Sequence, residues 1–116
     1  MPAQRGVVMH GHADFQAIKD LVIATVPAAE SIFLFGSYAK GTAREESDID
    51  IAILLEKDLQ WRERNALLNR LYSDTAQHGY NVDFLLKSAE KFRADSELPT
   101  LARVILREGR LLWVKN

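Results

Sequence analysis

Apolar residues recur at Phe15, Ile18, Leu21, Val22 and Val26, the three- and four-residue spacing of a helix that buries one side. Pro27 ends that pattern because it has no N–H to continue the hydrogen-bond ladder. The continuous run Ile32-Phe33-Leu34-Phe35, aromatic and branched, predicts a strand covered on both faces. Gly36-Ser37 interrupts it, and Tyr38 to Lys40 predicts a short helix stopped by Gly41. From Asp48 to Leu55 the chain is polar first and apolar from Ile51 onward. That predicts a second strand whose start meets solvent or ligand while its end is core. Asp58 is placed to cap a helix that turns Trp61, Leu67, Leu68, Leu71, Tyr72 and Thr75 to one side, with Gly79 just past its end. Tyr80 to Leu86 predicts a third strand holding a single acid, Asp83. Lys87 to Ser96 is polar and predicts a short helical turn. Pro99 and Gly109 bracket a further helix with Leu98, Leu101, Ile105 and Leu106 inward, and Leu111 to Val114 predicts a last strand.

Together these elements predict an α/β (α+β) domain, a small mixed β-sheet of about four strands flanked by helices. Residues 1–12 read as a flexible lead and residues 13–116 as the domain, since domains cluster at about 100–150 residues. His10-Gly11-His12 offers two imidazoles but neither a third ligand nor a supporting shell, so a solvated turn is the reading there. The chain has no cysteine, which excludes disulfides and thiolate metal sites. No apolar run approaches the ~20 residues of a membrane helix, and the apolar segment before His12 is too short for a secretory signal. A cytoplasmic domain is expected, with no membrane partner. Fifteen basic residues balance 16 acidic ones, so no long-range field draws in a nucleic-acid backbone, and direct nucleic-acid binding is not expected.

The candidate chemistry lies between Ile32 and Leu55. Side chains two apart on a strand share a face, so Asp48 and Asp50 project together while Ile49 and Ile51 turn to the core. Aligned carboxylates repel, and a fold gains no stability from pairing them. A hard divalent cation such as Mg²⁺ resolves the repulsion through oxygen ligands. Asp83, on a strand able to lie alongside, supplies a third acid, and three acids around Mg²⁺ suit in-line phosphoryl or nucleotidyl transfer. Gly36 allows a phosphate close to the backbone, and the Ser37 hydroxyl adds a donor. Each piece alone is common: a lone Asp-x-Asp is often a solvated strand entrance, and Asp83 alone an ordinary edge charge. Their joint occurrence is specific, with ten residues between Ser37 and Asp48 and apolar strands on either side.

Phe35-Gly36-Ser37-Tyr38-Ala39-Lys40-Gly41 followed by Ser47-Asp48-Ile49-Asp50 resembles the signature of the DNA polymerase beta-like nucleotidyltransferases. More narrowly it resembles the minimal nucleotidyltransferase (MNT) antitoxins of HEPN/MNT toxin–antitoxin pairs. The resemblance runs from the first helix to the last strand and implies the nucleotidyltransferase fold. It implies that Asp48, Asp50 and Asp83 are catalytic and bind Mg²⁺, with Gly36 and Ser37 at the phosphates of ATP. It also implies a partner, a HEPN ribonuclease toxin in a hetero-oligomer, silenced when AMP is transferred from ATP to one of its tyrosines. Many relatives carry arginine where Lys40 stands, and lysine lacks the bidentate fork.

The chain after Ser96 reads as one helix and one strand, which leaves the acceptor to a separate polypeptide. Trp61 to Arg70 is a candidate docking face, since aromatic and arginine side chains are favoured at interfaces. The plainer reading packs Trp61 in the core and solvates the arginines. Two other functions stay open: an antitoxin that neutralises by binding alone, and a small-molecule nucleotidyltransferase needing a separate acceptor-binding subunit.

Overall fold

The computed structural model describes residues 9–116. Helix α1 spans His12–Thr25 and buries Phe15, Ile18 and Val22. Its start is fixed by a reciprocal pair of bonds: the Asp14 carboxylate accepts from the Gly11 amide at 3.0 Å, and the Asp14 amide donates to the Gly11 carbonyl. The expected lead over residues 1–12 falls mostly outside the described residues. Strand β1 covers Ala29–Phe35, beginning three residues before the apolar run because Ala29 already pairs with Leu55.

Helix α2 is Gly36–Lys40, closed by Gly41 at φ 78° as expected. Strand β2 (Ile49–Leu55) runs antiparallel to β1, and strand β3 (Val82–Ser88) runs parallel to β2. Strand β4 (Arg110–Val114) is antiparallel to β1 on the other side, so the sheet order is β3-β2-β1-β4. The parallel step from β2 to β3 is made by helix α3 (Trp61–Gln77). Helices α4 (Ala89–Ser96) and α5 (Leu101–Glu108) separate β3 from β4.

Both faces of the sheet are covered. On one, Phe15, Ile18, Val22 and Leu71 from the helices meet Ile32, Leu34, Ile49, Ile51, Ile53 and Leu55. On the other, Ala89, Phe92, Ala102 and Ile105 meet Ala52 and Leu54. This double cover explains why β2 reads as an unbroken apolar run rather than an alternation. The free edge of β3 is guarded by α3: the Phe84 amide donates to the Tyr72 hydroxyl at 3.1 Å, and Arg64 donates to the Leu86 carbonyl.

Four details differ from the expectation. Gln60, not Asp58, precedes α3, and Asp58 instead lies 3.0 Å from Lys91 near the start of α4. Trp61 is 68% exposed, with the Arg62 guanidinium over its ring. At 3.6 residues per turn it sits about 80° round the helix from the buried Leu71, off the inward stripe. The polar segment after β3 forms two full turns of helix rather than one. Of the four residues expected inward only Ile105 is buried, joined by Ala102; Leu101 and Leu106 face outward on α5, and Leu98, ahead of the helix, is exposed too. Gly109 and Ala102 set that orientation. A Cβ on Gly109 would stand 3.1 Å from the Leu34 carbonyl, so the helix end presses on β1 through its small residues.

Candidate active site

The end of the sheet where β1 finishes and β2 and β3 begin gathers the polar residues singled out from the sequence. In the ladder, Asp50 pairs with Phe35 on one side and Asp83 on the other. The parallel register therefore sets two carboxylates side by side on one face, the face that further along holds Ala52 and Leu54. Asp48 lies one residue before β2 and is exposed, as is Asp83. Ile49 and Ile51, between and beyond the acids, are fully buried on the opposite face, as the alternation requires.

Gly36 meets this cluster from β1. Its φ is 73°, a conformation that L side chains rarely adopt, and a Cβ there would lie 2.1 Å from Asp50 Oδ2. The carboxylate thus rests directly on the glycine backbone. A glycine is required for the turn and for the contact at once. Ser37 follows, half-buried, and its carbonyl accepts from the Thr42 amide at 2.9 Å, closing the turn.

The acids are held differently. Asp48 Oδ1 accepts from Asn81 Nδ2 at 2.6 Å. Asp83 Oδ1 accepts from the Tyr72 hydroxyl at 3.3 Å. Among the described residues Asp50 accepts no comparable bond, and burial, then the charges of Asp83 and Asp48, push its carboxyl up to about 6. Asn81 and Tyr72 were missed from sequence. By sequence Asn81 falls at the start of a predicted strand and Tyr72 on the packed side of α3; the register of β3 against β2 brings Asn81 to Asp48, and the packing of α3 on Phe84 brings Tyr72 to Asp83. Lys40 Nζ lies 3.4 Å from Glu108 on α5, both half-exposed.

Among the described residues no three His, Asp or Glu side chains are already closed into a metal-binding group. The donor set nevertheless suits a hard cation: only oxygen ligands, three like charges at one sheet end, and one carboxylate destabilised by the other two. Hydrogen bonds from Asn81 and Tyr72 leave the second oxygen of Asp48 and of Asp83 unbonded among the described residues. The donor set, beside a glycine turn, is chemically suited to a hard cation and a polyphosphate.

The family model for Polymerase beta, Nucleotidyltransferase matches residues 16–116. The chain is 33% identical over 93 residues to the protein adenylyltransferase MntA of Shewanella oneidensis, covering 76% of this chain and 56% of that protein. It thus spans little more than half the length of that relative. Among solved structures it is similar to a chain in the crystal structure of a toxin–antitoxin with AMP-PNP. That likeness has a TM-score of 0.63 and 29% identity, over 90% of this chain and 76% of the other. It is also similar to a chain in the structure of the tri-AMPylated S. oneidensis HEPN toxin in complex with MNT antitoxin. There the TM-score is 0.59 and the identity 26%, over 89% of this chain and 71% of the other.

Proposed function

The chain belongs to the polymerase beta nucleotidyltransferase family, and we propose that it is an antitoxin that transfers AMP from ATP to a tyrosine of a HEPN-type toxin. The observation that carries this reading is the packing of Asp50 on Gly36 beside Asp83. It sets a carboxylate pair against a glycine turn, the two things that nucleotidyl transfer needs adjacent. The similarity to MntA and to toxin–antitoxin chains supports the choice of acceptor.

In this reading Asp48, Asp50 and Asp83 hold Mg²⁺. When bound, the ion offsets the negative charge of the triphosphate and of the departing pyrophosphate. Gly36 lets the phosphates approach the backbone, and Ser37 donates its hydroxyl to them. The phenolic oxygen of the acceptor attacks the α-phosphorus, forming the new phosphoester bond. The bond from that phosphorus to the bridging oxygen breaks, pyrophosphate leaves, and the phenolic proton is released to water in the net reaction. The chain's own contribution is positioning: rigid strand ends fix the acids, and the turn fixes the phosphates, so little acid–base chemistry is required. The reaction is assigned to the cytoplasm, where ATP and a ribonuclease toxin coexist. Among the described residues no helix is long and apolar enough to cross a membrane.

A second reading, neutralisation by binding alone, is favoured by the apolar side chains displayed on α5 and at Trp61. One experiment separates the two. The purified chain is incubated with Mg²⁺-ATP and its co-expressed toxin, and the toxin is weighed by intact mass. Addition of AMP to the toxin, abolished by Asp48→Ala or Asp50→Ala, supports transfer. Full silencing of the toxin by the double alanine variant, with no gain in mass, rejects catalysis in favour of binding.

A further inference from the structure

We infer that Asn81 and Tyr72 are positioning residues, neutral donors that aim Asp48 and Asp83 at a shared cation. The inference rests on the nucleotidyltransferase reading and assigns these two side chains a part in it. Asp48 and Asp83 are exposed, and exposed like charges relax by rotating apart into water. Each is instead restrained by one hydrogen bond from a residue that is itself anchored to the sheet, Asn81 through its backbone and Tyr72 through Phe84.

The Asn81 carbonyl accepts from the Ile49 amide at 2.9 Å, extending the β2–β3 ladder one step past the strand. The same step brings its side-chain amide to Asp48 at 2.6 Å. The Tyr72 ring stands edge-on to Phe84 with centroids 5.3 Å apart. Its hydroxyl accepts from the Phe84 amide at 3.1 Å and donates its one proton to Asp83 at 3.3 Å. The backbone donor thus fixes the direction in which the phenol can give its hydrogen.

Neutrality matters. A lysine or arginine in either place would cancel the carboxylate's charge and compete with a cation, whereas an amide or phenol orients the acid and leaves its charge available. Asp50, without such a donor among the described residues, is held by contact with Gly36. The three acids therefore have three separate restraints, from the residue just before β3, from α3 and from the β1–α2 turn.

The test uses the full chain and the variants Tyr72→Phe, Asn81→Ala and both together. Mn²⁺ affinity is measured by electron paramagnetic resonance in the presence of a non-hydrolysable ATP analogue, with thermal unfolding recorded alongside. Tyr72→Phe keeps the ring on Phe84 and removes only the hydroxyl. Each single variant is expected to weaken Mn²⁺ binding about 10-fold, with little change in the unfolding midpoint. The double variant is expected to lose about 100-fold, since the two donors act on different acids. Binding within about twofold of the parent in both single variants overturns the inference, as does a loss that simply follows unfolding. Addition of AMP to the chain itself, lost in Tyr72→Phe, would make Tyr72 an acceptor and also overturn it. A parent chain that binds neither Mn²⁺ nor the analogue overturns the nucleotidyltransferase reading as well.

Discussion

Replacing Asp50 by asparagine keeps the shape of the side chain and removes one of three clustered negative charges. In the folded chain, burial and the charges of Asp83 and Asp48 push this carboxyl from 3.8 up to about 6. At 1.36 kcal/mol per pH unit that gap is worth about 3 kcal/mol against the folded state at neutral pH. Asp50 is only partly buried, and solvent screening reduces the expected value to about 1–2 kcal/mol. A domain of this size responds with a rise of about 4–8 °C in unfolding midpoint. The sign follows from linkage. A carboxyl raised in the folded state favours folding at low pH, and that advantage is lost as pH rises from 3.8 to about 6. Asp50→Asn is therefore expected to match the parent near pH 3.5, to pull ahead through that window, and to hold a constant lead above it. The assay is urea or thermal unfolding of parent and variant in EDTA across pH 3.5–8, a range set by the shift itself. Adding Mg²⁺ should stabilise the parent and leave the variant nearly unmoved, while AMP transfer is lost. A variant no more stable than the parent at pH 7.5, or a lead that persists at pH 3.5, refutes the electrostatic account.

Other substitutions probe the supports of the site. Gly36→Ala would bring a Cβ 2.1 Å from Asp50 Oδ2 at a φ of +73°. The backbone strain costs about 1–2 kcal/mol, and because the carboxylate must swing aside, AMP transfer measured by intact mass should fall about 100-fold. Gly109→Ala would set its Cβ 2.5 Å from the Ile105 carbonyl and 3.1 Å from that of Leu34. Backbone cannot yield as a side chain can, so denaturant unfolding should show a loss of about 1–3 kcal/mol, while activity per folded molecule persists. Asp14→Ala removes the bond to the Gly11 amide and should cost about 1 kcal/mol at neutral pH. That amide, ahead of the other contributions, holds the Asp14 carboxyl below 3.8. The parent's advantage should therefore be present at neutral pH and disappear as pH falls through the lowered value. An advantage unchanged down to pH 2 would refute it, since a protonated carboxyl no longer accepts as a carboxylate.

The elements were legible where local chemistry decides them. The stripe from Phe15 to Val26, the stop at Pro27, the break at Gly36 and the stop at Gly41 each act within one turn of chain. The misreadings share a cause. Trp61 and the leucines of α5 are apolar at plausible spacing, but which face a helix buries is set by what it packs on. Ala102 and Gly109 decide it for α5 by letting the backbone come close. The helix boundary at Gln60 was missed because Asp58, a good cap by type, is paired with Lys91 from another element.

For the site, the sequence by itself determined the cast. Gly36, Ser37, Asp48 and Asp50 sit at a spacing that strand alternation and turn chemistry make interpretable, since side chains two apart on a strand must share a face. It could not say where Asp83 falls, because the pairing of β2 with β3 joins residues 33 apart and a slip of one residue would turn that acid to the other face. Tertiary structure alone decided that Asp83 stands beside Asp50 and that Asp50 rests on Gly36. It alone brought Asn81 and Tyr72, unremarkable in sequence, to the outer two acids. Local rules name groups able to bind a cation. Only the register of the sheet sets the charges of Asp50 and Asp83 side by side.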